Sequence, residues 1–482
     1  MQPTSALPPR PAARPSRERP VAVIGGGITG LAAAWHLHRA GIPVVLFEGG
    51  STPGGVIASP REDGWLWETG PNTLFENTPA LRHFIDDLGL GARRLEAAPA
   101  AKRRYVVHGG RPVALPDSPW TFLKTPLLSA RAKLGLLGEP FRGRGPGDHD
   151  ESVAEFVVRR LGPEFLDRIV NPFVAGVYAG DPAQLSVRHA FPKLAALERE
   201  HGSLLRGALH RRSTATGPGG SMISFPEGLA EIPRALAKAL GDAVRTGHQV
   251  AAVRPEGAEW RIEFASSSGR QSEIFAAVIC TLPPDALTKL DLSALPGAGA
   301  LAALRAIPQP AVASVFLGYR RADVAHPLDG FGLLAPATEG RKILGTLFSS
   351  TLFPGRAPAG HVALTTFVGG TRQPELARAD DQTLLASVQA ELADLLGVQG
   401  APVMTHIQRW PRAIPQYIVG FQRFEDACAE VEHRTPGFFI GGTCRNGVSL
   451  SHCLSAGENL AELARQRLAT ATLNAALDTA TG

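Results

Sequence analysis

Apolar positions at the start of the chain follow the pattern of a strand, a helix and a second strand. Val21–Ile24 is an uninterrupted apolar run, residues 31–39 are rich in alanine and leucine, and a second apolar run covers residues 42–47. Short continuous apolar runs are typical of strands buried in a parallel sheet, and the segment between them has the composition of a helix. This region therefore predicts a β-α-β unit.

The middle of the chain has a mostly helical pattern over residues 113–214. The pattern is broken at Pro140, at Pro163 and in segment 171–182, "NPFVAGVYAGDP". Two glycines and two prolines within twelve residues predict a loop here instead of a helix interior. Glycine admits a close neighbour beside the backbone, and Phe and Tyr provide flat apolar walls. The loop therefore either approaches a ligand or packs on the protein's own core.

Strand-like runs return in residues 300–403, together with a helix predicted over Asp381–Leu396. Phe438–Ile440 then forms a last apolar strand, followed by a glycine turn and a helix that begins near Val448. Strands and helices that alternate near both ends, with a helical middle, predict a fold of class α/β + α.

A glycine motif lies between the first strand and the first helix. Gly25, Gly27 and Gly30 form the pattern GxGxxG, and Glu48 follows the second strand, 18 residues after Gly30. The glycines permit a tight turn, close approach to a pyrophosphate and helix–strand packing, while the helix N-terminus offers amide donors to phosphates. An acid at Glu48 accepts ribose hydroxyls and disfavours a 2′-phosphate. The motif therefore predicts FAD or NAD in preference to NADP.

The composition is that of a globular enzyme, with 44% hydrophobic and 19% charged residues. The net charge is +5, but residues 101–220 alone hold 18 Lys and Arg against 11 Asp and Glu. This local basic field suits an anionic small molecule or an anionic membrane surface, and no run of bases interleaved with aromatics indicates nucleic acid. The four cysteines include no C-x-x-C pair, so we expect free thiols in a reducing compartment and no metal site.

Two segments bear on where the chain works. The first twenty residues are rich in proline and arginine and lack an apolar core, so residues 1–19 are predicted to be a disordered tail instead of a secretory signal. Residues 121–141 combine leucines with Lys124, Arg131 and Lys133, a basic amphipathic pattern that fits either an anionic bilayer surface or a solvated surface helix. No stretch has the length and apolarity of a transmembrane helix. We therefore expect a cytoplasmic chain, with peripheral membrane contact left open.

A second glycine pair, Gly54-Gly55, lies downstream of Glu48, and the run Gly70-Pro71-Asn72-Thr73 follows. This arrangement resembles glutathione-reductase-like flavoproteins of the amine-oxidase type, with Val56 standing where that group has a basic residue. The resemblance implies FAD in place of NAD, a C-terminal glycine turn that covers the flavin ring, and an aromatic side chain beside it. The cofactor residues so indicated are Gly25, Gly26, Gly27, Ile28, Thr29, Gly30, Glu48, Gly49, Gly55, Val56, Gly70, Pro71, Asn72, Thr73, Val250, Trp410, Val448, Ser449 and Leu450.

Six segments, in order, resemble the family of oxygen-dependent protoporphyrinogen oxidases. They are residues 70–73, 102–116, 171–186, 344–358, 365–376 and 410–417. The resemblance implies non-covalent FAD and oxidation of a porphyrinogen to a porphyrin in heme biosynthesis, with hydrogen peroxide as by-product. It assigns Arg104 to a substrate propionate, which a guanidinium holds by two parallel hydrogen bonds. It assigns Gly176, Leu333, Leu347 and Phe367 to the walls around the macrocycle, and no general base is required.

Three alternatives stay open. Coproporphyrinogen III oxidases make the same conversion on a tetracarboxylate. FAD-dependent amine oxidases usually frame the amine with two aromatic side chains near the C-terminal turn, and residues 441–449 contain none. A protein that carries a porphyrin or a flavin without turnover is the non-enzymatic alternative. The expected partners are a porphyrinogen and molecular oxygen, with a membrane surface and a second copy of the chain as further candidates.

The resemblance also divides the chain by function. After the tail come a Rossmann-type FAD-binding domain, a mixed-sheet substrate-binding domain and a helical domain. Their expected bounds are 20–95, 221–295 and 404–470 for the first, 96–112 and 296–403 for the second, and 113–220 for the third.

Overall fold

The computed structural model describes residues 19–145, 147, 149–214 and 220–481. The chain forms two compact units. Unit 1 comprises Met1–Gly55, Ile232–Arg305 and Phe424–Gly482, and unit 2 comprises Val56–Glu231 and Ala306–Arg423. The predicted mixture of α and β structure is confirmed, whereas the division into three functional domains stays a prediction. Residues 1–18 of the predicted tail lie outside the described residues.

The strands are β1 Val21–Ile24, β2 Val44–Glu48, β3 Arg61–Glu62, β4 Trp65–Leu66, β5 Leu74–Glu76, β6 Leu95–Glu96, β7 Tyr105–His108, β8 Arg111–Ala114, β9 Ser221–Ser224, β10 Val244–Thr246, β11 Gln249–Glu256, β12 Glu259–Ser266, β13 Gly269–Phe275, β14 Ala277–Cys280, β15 Val312–Arg320, β16 Gly332–Leu334, β17 Gly345–Leu347, β18 His361–Gly369, β19 Met404–Trp410 and β20 Phe438–Ile440.

The α-helices are α1 Ile28–Arg39, α2 Pro79–Asp87, α3 Pro119–Lys124, α4 Ala130–Leu137, α5 Val153–Leu161, α6 Pro163–Phe165, α7 Asn171–Tyr178, α8 Val187–Ala190, α9 Pro192–His201, α10 Leu204–Thr214, α11 Glu231–Leu240, α12 Pro284–Leu287, α13 Ser349–Leu352, α14 Pro374–Arg378, α15 Asp381–Leu396, α16 Gln422–Arg434 and α17 Leu450–Thr481. Leu166–Val170 is a π-helical turn.

Unit 1 is built on a five-stranded parallel sheet with strand order β10-β2-β1-β14-β20. Strands β1 and β14 are buried along their whole length, which explains their continuous apolar runs. The predicted β-α-β unit is confirmed as β1, α1 and β2, with α1 beginning three residues earlier than the apolar pattern indicates. Helix α17 packs against α1, where a Cβ on Gly457 would lie 2.6 Å from Ala32 Cβ. The strands of this sheet come from three segments that are far apart in sequence: β1 and β2, then β10 and β14, then β20.

Unit 2 contains a seven-stranded mixed sheet with strand order β19-β15-β18-β17-β16-β7-β8. Strands β7 and β16 are parallel, and the other neighbours are antiparallel. The predicted helix α15 is confirmed; Asp380 caps it by accepting from Thr383 N, and it ends at Gly397 in the left-handed region. It contributes Leu384, Val388 and Leu392 to the core of this unit.

Segment 171–182 corrects the sequence-based expectation of a loop. Residues 171–178 form helix α7, which continues from the π-helical turn and ends at Ala179, whose φ is 49°. Pro172 lies directly after the π-helical turn, and it has no N–H to donate to that preceding turn. A Cβ on Gly176 would meet Leu334 Cδ2 at 2.6 Å, so tertiary packing favours glycine in spite of its low helix propensity.

Helices α3 and α4 expose much of their apolar surface. Trp120, Leu123, Leu134 and Leu137 are among the exposed large hydrophobic residues, and Lys124 Nζ lies 4.5 Å from the centre of the Trp120 ring. In the described part of the chain, no helix combines the length and apolarity needed to cross a bilayer. Peripheral membrane contact through these two helices stays a prediction.

A buried ion pair joins the helices of unit 2. Arg160 of α5 and Glu139 are both fully buried and in contact. Ser203 donates to the Glu139 carboxylate, as do Leu204 N at 2.9 Å and Leu205 N at 3.2 Å. Burial raises the pKa of Glu139, but these three donors and the Arg160 charge outweigh it, so the pKa lies below its ordinary value.

Replacing Glu139 by glutamine should destabilise the protein by about 3–5 kcal/mol, because Arg160 keeps its charge in a dry site and loses its closest counter-charge. The midpoint of thermal unfolding should fall by about 5 °C. The folded-state pKa of Glu139 is depressed. Its contribution to the free energy of unfolding is therefore fully present above the ordinary pKa of 4.5, and it is lost as the pH falls through the folded-state pKa. The stability of Glu139→Gln should lack this dependence on acidic pH.

Scanning calorimetry across acidic and neutral pH checks this expectation. Glu200→Gln is the matched control, because Glu200 is half-exposed and its ion-pair contacts are long, at 3.8 and 4.0 Å. Equal midpoints for both variants would show that the buried pair contributes nothing.

Candidate functional site

The glycine turn of unit 1 lies at the carboxyl end of the parallel sheet, between β1 and α1. Gly25 has φ of 105°, which favours glycine, and a Cβ on Gly30 would lie 2.0 Å from Gly25 O. A Cβ on Gly27 would meet nothing within 4 Å, and no side chain caps α1 there. The turn therefore has the open backbone and helix N-terminus that a pyrophosphate requires, including the amides of Ile28 and Thr29.

Glu48 is held at the end of β2 by two backbone amides. Its Oε2 accepts from Gly26 N at 2.8 Å, and its Oε1 accepts from Gly50 N at 2.7 Å. Each oxygen keeps a further lone pair, which a ribose hydroxyl can use. Gly49 follows directly, and Gly55 lies beside the glycine turn, since a Cβ on it would be 3.2 Å from Gly27 Cα.

The chain before β11 runs next to the end of β2. His248 N donates to Glu48 O at 2.9 Å, and Gly247 N donates to Gly50 O at 2.8 Å. These bonds place Val250, which is half-buried, close to the candidate ribose site. The structure thus brings together four predicted parts of the cofactor site: the glycine turn at residues 25–30, Glu48, residues 49–55 and Val250.

Thr281 is a residue of this site that the sequence reasoning missed. Its Oγ1 donates to Ile24 O and Gly25 O, both at 3.2 Å, so it supports the glycine turn from β14. Gly442 lies against it, since a Cβ there would be 3.3 Å from Thr281 O. The turn after β20 therefore reaches the glycine motif, and it leads to Val448, Ser449 and Leu450 at the start of α17. Thr281 directly follows the buried apolar run of β14, and this position at the end of a strand was the sequence signal for a site residue.

The cofactor candidates of unit 2 gather around Thr69. Trp410 Nε1 donates to Thr69 O at 2.9 Å, and Thr69 Oγ1 donates to Val56 O at 2.8 Å. A Cβ on Gly70 would lie 2.5 Å from Val56 O, so glycine is required for this approach. Asn72 Nδ2 donates to Gly70 O at 3.2 Å, with Pro71 and Thr73 as its chain neighbours. The motifs at 56, 70–73 and 410 are thus one local structure.

Asn72 also lines a small cavity within unit 2. The lining residues are Leu66, Trp67, Glu68, Asn72, Ser349, Leu352, Phe353, Arg356 and Thr365.

The predicted wall residues do not all lie on one face of the seven-stranded sheet. Strand register pairs Leu347 with Thr365 and Phe367 with Gly345, which puts Leu347 and Phe367 on the same face. Leu333 pairs with Thr346 and points to the other face, where it is 2% exposed within the core. This corrects the placement of Leu333, because side chains alternate along a strand and one position decides the face.

Leu334 takes the place that Leu333 was expected to fill. It pairs with Gly345 and therefore shares the face of Leu347 and Phe367. The side chains of Leu334, Leu347 and Phe367 are all partly exposed. Strand alternation was the signal that could have found Leu334, but it requires knowledge of which face is buried. The face is a partly exposed apolar surface.

Arg104 is exposed at the start of β7. Its guanidinium carbon lies 5.4 Å from the centre of the Phe331 ring, and Nη2 lies 4.0 Å from Met222 Sδ. Within the described residues it contacts no carboxylate, whereas the adjacent Arg103 is paired with Asp329. Phe331 packs on the same apolar cluster as Leu347. Arg104 is therefore a cation without a counter-charge near the apolar face.

Comparison with known proteins gives the family. The group described as flavin containing amine oxidoreductase matches residues 28–464. The chain is 35% identical to the mitochondrial protoporphyrinogen oxidase of Nicotiana tabacum, covering 93% of this chain and 95% of that protein. It is 34% identical to protoporphyrinogen oxidase 2 of Arabidopsis thaliana (92% and 93% covered) and 27% identical to the coproporphyrinogen III oxidase of Bacillus subtilis (91% and 96% covered).

Solved structures agree with these matches. A protein from Exiguobacterium sp. 255-15 has a TM-score of 0.78 at 25% identity, with 92% of this chain and 98% of that one covered. Cyclohexylamine oxidase from Brevibacterium oxydans shares the fold, with a TM-score of 0.65 at 19% identity and 93% and 99% covered. The predicted resemblance and the predicted flavin are confirmed, and the chain belongs to the family of flavin containing amine oxidoreductases.

Proposed function

We propose that this chain oxidises protoporphyrinogen IX to protoporphyrin IX with bound FAD and molecular oxygen, producing hydrogen peroxide in porphyrin biosynthesis. The apolar face of Leu334, Leu347 and Phe367, in the unit that also holds the unpaired Arg104, carries the proposal. A porphyrinogen is a wide apolar macrocycle with propionates on one edge, and it needs both features. Relatives named protoporphyrinogen oxidase, 32–35% identical, support the proposal.

The residues of unit 1 fit FAD. The open turn at Gly27 and the first amides of α1 would hold the pyrophosphate, and the fixed carboxylate of Glu48 would accept the ribose hydroxyls. The bound flavin supplies a two-electron acceptor at its reactive nitrogen. Oxidation of the porphyrinogen removes six electrons and six protons in three rounds. Three molecules of oxygen take them up as three of hydrogen peroxide.

The protein residues contribute position and exclusion of water. Arg104 would hold a propionate by paired hydrogen bonds, and the apolar strand face would bind the flat side of the macrocycle. On this face β18 carries two polar side chains, each already engaged: the Thr365 hydroxyl is paired with Ser349 at 2.7 Å, and His361 Nδ1, at the start of the strand, lies 3.0 Å from Ala359 O. We therefore assign no general base.

Coproporphyrinogen III is the alternative substrate. Relatives with that name are 27–28% identical over 91–92% of the chain, below the values for the first group. A tetracarboxylate carries twice as many acidic groups as protoporphyrinogen, and it favours a site with a larger number of unpaired cations.

A fluorescence assay in air with the FAD-loaded protein tests the proposal. Protoporphyrinogen IX and coproporphyrinogen III are offered in parallel, and porphyrin fluorescence and hydrogen peroxide are followed together. The proposal expects a higher kcat/KM for protoporphyrinogen, with three peroxides per porphyrin. Higher kcat/KM for coproporphyrinogen would assign the alternative substrate, and no turnover of either would overturn both.

Leu334→Ala and Leu333→Ala should have opposite phenotypes. The first removes part of the apolar face and should raise the KM for protoporphyrinogen about tenfold, with a smaller loss of stability than the second because Leu334 is partly exposed. The second leaves a hole in the core and should cost about 2–5 kcal/mol of stability with an unchanged KM in the folded fraction. Steady-state kinetics and thermal unfolding of both variants check this, and reversed phenotypes would show that the sheet face is assigned wrongly.

A further inference from the structure

Arg372 ties helix α7 to the seven-stranded sheet. Its Nη1 donates to Ala335 O, just past β16, at 2.6 Å, and its Nη2 donates to Asn171 Oδ1, at the first residue of α7, at 2.7 Å. Asn171 Oδ1 also accepts from Ala337 N at 3.0 Å. In the part of the chain that the structure describes, Arg372 forms no ion pair. One amide oxygen and one guanidinium therefore join three segments.

The same turn also holds the other end of α7. Thr371 N donates to Ala179 O at 2.8 Å, and a Cβ on Gly370 would lie 2.4 Å from that oxygen. Gln416 Nε2 donates to Tyr178 O at 2.9 Å. The turn after β18 thus contacts α7 at its first residue and at its C-cap.

The position of α7 determines the position of Leu334. A Cβ on Gly176 would meet Leu334 Cδ2 at 2.6 Å, and a Cβ on Gly345 would meet the same atom at 3.0 Å. The Leu334 side chain therefore lies between two glycines, one on α7 and one on β17. A shift of α7 by a fraction of an ångström changes the space that Leu334 occupies on the apolar face.

We infer that Arg372 and Asn171 are positioning residues that fix α7 against the sheet and thereby set the shape of the apolar face at Leu334. This inference rests on the proposed function, since it assigns that face to the substrate. A guanidinium suits the task because its planar fork reaches two fixed acceptors at once. The site disfavours the charge, since burial lowers the pKa of Arg372 to about 10. Its two hydrogen bonds therefore act through geometry, since no carboxylate among the described residues pairs with the charge.

Two substitutions at Asn171 separate positioning from general stability. Asn171→Leu keeps the branched shape but loses the acceptor, whereas Asn171→Asp keeps an acceptor oxygen for both donors. We expect Asn171→Leu and Arg372→Met to raise the KM for protoporphyrinogen about 5- to 20-fold with kcat within about threefold of wild type. Asn171→Asp should keep the wild-type KM. Arg341→Met is the control, because Arg341 is also largely buried but pairs with Glu391 and Asp394.

A double-mutant cycle with Leu334→Ala tests the route of the effect. We call Arg372 and Asn171 together the clamp. If the clamp acts through Leu334, adding Arg372→Met to Leu334→Ala raises the KM no further. Fully additive changes, or a lowered unfolding temperature with wild-type KM in both clamp variants, would overturn the inference.

Amide hydrogen exchange gives a readout that needs no turnover. Exchange in α7 should be faster in Asn171→Leu and Arg372→Met than in wild type, and unchanged in Asn171→Asp and Arg341→Met. Unchanged exchange in the clamp variants would contradict the clamp itself. Wild-type protein that oxidises neither porphyrinogen would instead contradict the proposed function, so the two failures are distinguishable.

Discussion

Gly30→Ala should yield a protein that has lost most of its affinity for flavin. The added Cβ would lie 2.0 Å from Gly25 O and 2.8 Å from Thr281 Oγ1. The first of these is backbone in a turn that Glu48 and Thr281 hold in place, so the helix must move away from β1. We expect FAD affinity to fall on the order of 100-fold or more, since the phosphate amides move with the helix.

Gly27→Ala is the informative companion to this variant. Its Cβ would meet no protein atom within 4 Å, so the free protein should keep the unfolding temperature of wild type. FAD affinity should still fall, because the methyl group occupies the space where a pyrophosphate must approach the backbone. Gly299→Ala, also open and away from the glycine turn, is the neutral control.

Flavin absorbance per protein and FAD titration of the stripped protein measure both effects. A Gly30→Ala variant that keeps its flavin would show that the turn can relax. A Gly27→Ala variant with wild-type affinity would show that the pyrophosphate lies elsewhere.

The local parts of this site could be predicted from sequence. β1, α1, β2 and the acid at Glu48 occupy 28 consecutive residues, and each signal acts within a few positions. The neighbours of β1 in the sheet could not be found in this way. β14 pairs Ile24 with Cys280, more than 250 residues away, and no periodicity encodes such a partner. The sequence shows that Thr281 follows an apolar run, but it does not show that this run lies next to β1, so Thr281 was missed.

Two errors in unit 2 share a physical cause. Composition alone predicted a loop at Gly176, but contact with Leu334 makes glycine favourable inside α7. The motif placed Leu333 in the wall, but the register of β16 against β17 turns it into the core. The deciding contact joins residues 158 positions apart in the first case and 13 positions apart in the second, where short-range propensity carries no information.

Arg104→Ala should raise the KM for protoporphyrinogen about 10- to 100-fold, because a charge-assisted hydrogen bond to a carboxylate contributes about 1.5–3 kcal/mol. The change in kcat should be small, since the propionate is held equally before and during oxidation. Arg103→Ala is the matched control, because Arg103 is already paired with Asp329. Steady-state kinetics at fixed ionic strength check both variants.

The dimethyl ester of protoporphyrinogen isolates the carboxylate contact. Because the ester has no negative charge, wild type should bind it about as weakly as Arg104→Ala binds the diacid, and the variant should lose little more. If Arg104→Ala keeps the wild-type KM for the diacid and Arg103→Ala raises it, the propionate binds the guanidinium of Arg103. Asp329 holds that guanidinium in the free protein. The carboxylate would then have to displace Asp329, and binding would weaken as that residue competes.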